Sequence, residues 1–136
     1  MQENEENRAE DGLPLSASMF DSISGLDAER GFDVFEGDIE DYAATLRSFI
    51  KNAPATIEKL RGVTEDNLSE YAVHIHGLKA ISGWICADGI QAGAMELETL
   101  AKAGDFSGVS ALNGKLLKDT EALLKDLRAL LGDNSA

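Results

Sequence analysis

The sequence predicts an all-α protein, an antiparallel up-down four-helix bundle with a short additional helix at its N-terminal end. Three observations lead to this class. Apolar residues recur at intervals of three and four along most of the chain, which is the period of an amphipathic helix. The chain has two prolines and no long alternating β-branched segment, which disfavours an all-β fold. The predicted connections are short, and short connections favour antiparallel packing of neighbouring helices.

The N-terminal segment differs in composition from the rest. Residues 1–17 hold five acidic residues against one basic residue, Arg8, and contain no large apolar residue before Leu13. Such a stretch buries too little apolar area to offset its ordering entropy. We therefore expect an acidic disordered tail over residues 1–17 and a helical bundle domain over residues 18–136.

Residues that can cap helices divide the remaining chain into elements. These residues are Asp27, Asp38, Thr64 and Asp88. The first short helix is expected to stop at Gly37, the fourth at Gly104 and the last before Gly132, since glycine is the favoured residue just after a helix. The long third helix is expected from about Glu65 to Cys86.

Apolar stripes are expected on the short first helix and on the second, fourth and last helices. The residues expected to face the core are Phe32 and Phe35; then Tyr42, Leu46, Phe49, Ala53, Ile57 and Leu60; then Ile90, Ala94, Leu97 and Ala101; and finally Val109, Leu112, Leu116, Leu123, Leu127 and Leu130. Thr120 occupies the one polar position of the last stripe. Pro54 falls inside the second set and predicts a kink or break near Asn52, because proline removes a backbone donor.

Composition and charge exclude several functions. Against 25 acidic residues the chain has 12 basic ones, a net charge of −13, which disfavours binding to nucleic acid and to anionic membranes. No apolar run approaches the roughly 18 residues of a membrane span, and the acidic N-terminus is unlike a signal peptide. The single Cys86 has no partner for an internal disulfide, which fits a reducing compartment. We expect a cytoplasmic monomer.

The third helix holds the residues that point to chemistry. At 100° per residue, one side carries Tyr71, Ile75, Leu78, Ser82 and Ile85 and should face the core. His76 lies opposite, in a surface of small residues that leaves its ring approachable, and Lys79 at i+3 can reach a phosphate on the outer ring nitrogen. His74 is rotated by about 200° from His76, so the two rings cannot bind one metal, and we expect no metal site.

The stretch from Tyr71 to Asp105 resembles the histidine-containing phosphotransfer (HPt) domain. That family's signature, His-x-Leu-Lys-Gly with a later Leu-Glu and Gly-Asp, is matched at His76-Gly77-Leu78-Lys79-Ala80, Leu97-Glu98 and Gly104-Asp105. Gly25-Leu26-Asp27, Gly37-Asp38 and Tyr42 are similar to the family's lead-in, so the resemblance covers about residues 25–131. The departures are Ala80 in place of the usual glycine, and Trp84 and Cys86 at positions where other residues are commoner.

The resemblance implies a phosphoryl carrier for two-component phosphorelays, with His76 as the phosphorylated residue. Lys79 is then the phosphate-stabilising residue, and Ala80 and Gly83 leave steric clearance around the ring. Val73 and Trp84 are candidate rim contacts for a partner, although packing against a neighbouring helix is an equal alternative for Trp84.

The expected partners are receiver domains of hybrid sensor kinases and response regulators. We expect no cofactor on this chain, with Mg²⁺ on the receiver, and no enzymatic turnover, because glycine-rich ATP-binding motifs are absent from the sequence. Three alternatives stay open: a phosphorylation-incompetent adaptor that only docks receiver domains, a metal- or cofactor-binding bundle, and a phosphatase acting on a partner's phospho-aspartate. The presence of both His76 and Lys79 favours the carrier.

Overall fold

Five α-helices and two 3-10 turns occupy residues 15–132, the part of the chain that the computed structural model describes, and no β-strand occurs in that range. The helices are α1 (Ala28–Val34), α2 (Ile39–Arg61), α3 (Leu68–Trp84), α4 (Asp88–Lys102) and α5 (Phe106–Leu131), and the turns are Ala17–Phe20 and Glu65–Asn67. The predicted all-α class is confirmed. None of these helices is both long enough and apolar enough to cross a membrane.

The expected acidic tail lies mostly outside the described residues, as do residues 133–136. Leu15 is partly buried against the core, and Phe20 is fully buried, with ring contacts to Phe32 and Tyr42 at centroid distances of 5.7 Å. Leu15, three residues before the expected domain boundary at residue 18, thus packs against the core.

The predicted helix caps are confirmed at two positions and wrong at a third. The Asp27 carboxylate accepts a hydrogen bond from the Arg30 backbone N–H at 3.1 Å, and Asp38 accepts one from Asp41 at 3.1 Å. Asp88 is instead the first residue of α4, and its carboxylate binds the Arg30 guanidinium through two contacts, one of them 2.6 Å long. This pair holds the pKa of Asp88 below its usual value and ties α1 to the start of α4.

Pro54 does not break α2, so a break near Asn52, one of the two predicted outcomes, does not occur. The helix runs from Ile39 to Arg61 with Pro54 inside it. Proline costs one backbone hydrogen bond, but Ile50, Ala53 and Ile57 on either side are buried. The apolar stripe therefore holds both halves of α2 against the core, and tertiary packing outweighs the local defect.

The turn between α3 and α4 sets the relation of the two helices that carry the site. α3 packs more extensively on α4 than on any other helix. In the turn, Cys86 adopts a positive φ of 63°, an uncommon conformation for a side-chain-bearing residue. Its carbonyl accepts a hydrogen bond from Asp27 at 2.9 Å, and the Ile85 carbonyl accepts one from the Tyr42 hydroxyl at 2.9 Å. These bonds from α1 and α2 hold the turn in place.

The core follows the predicted stripes with small deviations. Leu112 is more exposed than expected, whereas Leu117, Leu124 and Leu131 join the buried side of α5. The Thr120 hydroxyl is fully buried and donates to the Leu116 carbonyl at 2.8 Å, which satisfies the one polar position of that stripe.

Candidate functional site

His76 is presented on the outer side of α3. The residues predicted to face inward, Tyr71, Ile75, Leu78, Ser82 and Ile85, are all buried. The His76 side chain is 60% exposed. The helical period therefore placed this side chain correctly.

Glu98 on α4 fixes the orientation of the His76 ring. Its Oε2 lies 2.8 Å from His76 Nδ1. The pKa of Glu98 is lowered to about 2, so the carboxylate is ionised near neutral pH and can only accept a hydrogen bond. Nδ1 must then carry the proton. In the neutral ring this leaves the lone pair on Nε2, on the side away from Glu98.

Two lysines neutralise the same carboxylate. Lys79 Nζ lies 2.6 Å from Glu98 Oε1, and Lys102 Nζ lies 3.2 Å from Oε2. The hydrogen bond from Lys79 is the largest cause of the lowered Glu98 pKa, burial opposes it, and the contacts from His76 and Lys102 add to it. The Glu98 side chain is only 7% exposed. A buried carboxylate thus joins three side chains from two helices.

Helix α4 lies along one side of His76. Ala72, one turn before His76, is buried against the core cluster, and it lines a depression next to the ring with Ala101 and Lys102 of α4. Val73 and Ala80 are exposed. Val73 lines the same depression, so a partner that covers the ring also meets Val73.

Trp84 and Gly83 have different surroundings. Trp84 is 57% exposed and lies on the outer side of α3, available as a rim contact. Gly83 is partly buried, and a Cβ atom added there would lie 2.3 Å from the Gln91 side-chain nitrogen. The space beside Gly83 is thus filled by α4, so this glycine serves the contact between helices and adds little clearance for a partner.

The remaining chemistry-bearing residues are not gathered at this site. His74 is partly buried, and Cys86 is almost fully buried. Over residues 15–132, no group of three or more histidine, cysteine, aspartate or glutamate side chains is placed to hold a metal ion.

Sequence reasoning gave Glu98 no role and overlooked Lys102. A signal was present, because Glu98 follows Ala94 by four residues and Leu97 by one, inside the apolar stripe of α4. A charge in that stripe is expected to be buried and to need partners. Comparison with protein-family models, with curated proteins and with solved structures gave no match to this chain.

Proposed function

We propose that this chain is a histidine phosphotransfer carrier that shuttles a phosphoryl group between receiver-domain aspartates in a two-component phosphorelay. The observation that supports it most is the pairing of His76 Nδ1 with the Glu98 carboxylate at 2.8 Å on a ring that is 60% exposed. This pairing leaves Nε2 as the nucleophilic atom and turns it toward solvent. Lys79, 2.6 Å from the same carboxylate, supplies positive charge beside it.

The chemistry follows from this arrangement. The Nε2 lone pair attacks phosphorus in line with the acyl oxygen of a receiver phospho-aspartate, so that an N–P bond forms, the P–O bond breaks and the aspartate leaves as a carboxylate. The phosphorylated ring keeps its proton on Nδ1 and gains positive charge. Glu98 stabilises that charge through the hydrogen bond already in place. Attack by a second receiver aspartate on the same phosphorus reverses the bond changes.

The surface supports docking of a large partner. Val73 and Trp84 are exposed apolar side chains on α3, one turn before and two turns after His76. Ala80, between them, is exposed and small. Trp84 and Val73 are side chains that a docked partner would cover, and tryptophan is enriched among the residues that contribute most to such contacts.

The proposal also covers the bundle topology, the partners, the oligomeric state and the cellular location of this carrier. Helices α2 to α5 form the up-down antiparallel four-helix bundle, an arrangement that their short connections favour. The partners are receiver domains of hybrid kinases and response regulators, and Mg²⁺ is held by the receiver. The chain has no turnover of its own and acts as a monomer in the cytoplasm.

The test is incubation of the protein with a panel of phosphorylated receiver domains. We expect acid-labile, base-stable label on the wild type and none on His76→Gln, which should remain folded because the side chain is exposed. His74→Gln is the matched control, a histidine of the same helix turned away from this face, and it should be labelled like the wild type.

Two results would contradict the proposal. Label that persists on His76→Gln would mean that another residue accepts the phosphoryl group. Binding of a receiver with no label on the wild type would favour the adaptor that only docks receivers.

A further inference from the structure

Lys102 shares an oxygen with the His76 ring. Its Nζ lies 3.2 Å from Glu98 Oε2, and His76 Nδ1 lies 2.8 Å from the same atom. The two nitrogens are therefore no more than about 6 Å apart. Lys102 also lines the depression beside the ring, together with Ser69 and Val73.

The two lysines on Glu98 are held to different degrees. Lys79 is 25% exposed and has Oε1 to itself at 2.6 Å. Lys102 is 65% exposed and makes the longer contact. The Lys102 ammonium is largely solvated, and its flexible four-carbon stem lets it move while Lys79 and His76 stay on the buried carboxylate. Lys102 can therefore leave Glu98 at small cost, whereas Lys79 is the more firmly held of the two.

The local charge changes when a phosphoryl group arrives. With a neutral imidazole, Glu98 and the two lysines sum to one positive charge. A phosphoryl group on Nε2 carries close to two negative charges, while the ring that keeps its Nδ1 proton gains one positive charge. Two cations lie beside the ring, since both lysines bind the carboxylate that holds Nδ1.

We infer that Lys102 is a second phosphate-binding residue, held on Glu98 while His76 is free and moved to the phosphoryl oxygens once His76 is phosphorylated. This inference rests on the proposed function. Lys79 and the ring then retain Glu98, so the carboxylate stays neutralised throughout.

The experiment uses full-length protein phosphorylated with phosphoramidate, which transfers its phosphoryl group to the ring and releases ammonia. The proton affinity of the phosphoryl group is followed by ³¹P NMR as a function of pH. Loss of a nearby cation favours the protonated, less charged form, so we expect Lys102→Met to raise this affinity about two- to fivefold. Lys102→Arg should return the proton affinity of the phosphoryl group to the wild-type value.

The matched control is Lys115→Met. Lys115 makes the same kind of contact, to Asp119 four residues away at 2.8 Å, but on α5. A second comparison repeats Lys102→Met in a Glu98→Gln background. A direct contact with the phosphoryl group predicts that the effect persists there, whereas an action through Glu98 alone predicts that it disappears.

The outcomes separate the two proposals. Phosphohistidine on the wild type, with Lys102→Met and Lys115→Met behaving alike, would overturn the inference and leave the proposed function standing. So would an effect that vanishes in the Glu98→Gln background. Failure of phosphoramidate and of every receiver to label His76 would overturn the proposed function, and the inference would fall with it.

Discussion

Replacement of Glu98 by glutamine should destabilise the protein in a pH-dependent way. Glutamine keeps the shape of the side chain but removes the charge that Lys79 and Lys102 share. Lys79 is the more affected, because it is three-quarters buried beside the carboxylate. A partly buried ammonium without its partner costs free energy that a surface ammonium does not.

The magnitude follows from the pKa of Glu98, which falls from 4.5 to about 2 on folding. One pKa unit corresponds to about 1.4 kcal/mol, so the full shift sets an upper limit of about 3 kcal/mol. Solvent around the lysine ammonium groups screens part of this interaction. We expect Glu98→Gln to lower the free energy of unfolding by about 1 to 3 kcal/mol at pH 7.

The sign of the pH dependence is fixed by the direction of the shift. A carboxylate whose pKa is lowered on folding stabilises the fold fully above its unfolded value, and the stabilisation is lost as pH falls toward the folded value. The difference in free energy of unfolding between the wild type and Glu98→Gln should therefore be constant above about pH 5 and shrink between pH 4.5 and pH 2. Urea unfolding followed by circular dichroism at several pH values measures it.

The control is Asp119→Asn, which removes a carboxylate from a lysine contact of 2.8 Å at an exposed site. This variant should lower the free energy of unfolding by less than about 0.5 kcal/mol. Equal losses of stability in the two variants would contradict a special role of the buried carboxylate, and so would a Glu98→Gln difference that stayed the same from pH 7 down to pH 2.5.

Four further predictions each concern a single position. Lys79→Ala should slow phosphoryl transfer from a receiver while the far-ultraviolet circular dichroism keeps its helical form; an unchanged transfer rate would remove its proposed role. Ala80→Trp should weaken receiver binding in a titration without loss of helicity, because Ala80 is exposed beside His76; unchanged affinity would place the docking surface elsewhere. Gly31→Ala should destabilise by about 1 to 3 kcal/mol in urea unfolding, since its Cβ would lie 2.5 Å from the buried Tyr42 ring. Gly83→Ala should be near neutral, since the flexible end of Gln91 can move aside; equal losses for the two glycine variants would contradict this packing argument.

Most of the fold prediction rests on the helical period of the apolar residues. It separated Ile75 and Leu78 from His76 on α3 without knowledge of any neighbour, because burial along one helix depends mainly on which face meets the core. Predictions from local sequence preferences were wrong where packing against another helix outweighs the local preference. Pro54 remains inside α2 because the apolar stripe holds both halves, and Asp88 gives up capping for a contact with Arg30, 58 residues away.

The candidate site was predictable only in part, for the same reason. His76 and Lys79 lie one turn apart on a single helix, so their proximity follows from spacing. Glu98 and Lys102 belong to α4, and their approach to His76 depends on the rotation and distance between two packed helices. No spacing within one helix encodes that relation. The position of Glu98 within an apolar stripe indicates a buried charge, but it does not identify which partners neutralise it.

Small residues at the contact between α3 and α4 connect the packing of these helices with the geometry of the site. Gly83 of α3 leaves room for Gln91 of α4, and Ala72 of α3 and Ala101 of α4 line the same depression beside His76. Short side chains let two helix backbones approach closely, and here that approach lets the Glu98 carboxylate reach both His76 and Lys79 from the neighbouring helix. The same approach places α4 along one flank of the imidazole. A large partner that reaches the ring therefore meets α4 on that flank as well as Val73 and Ala80 of α3.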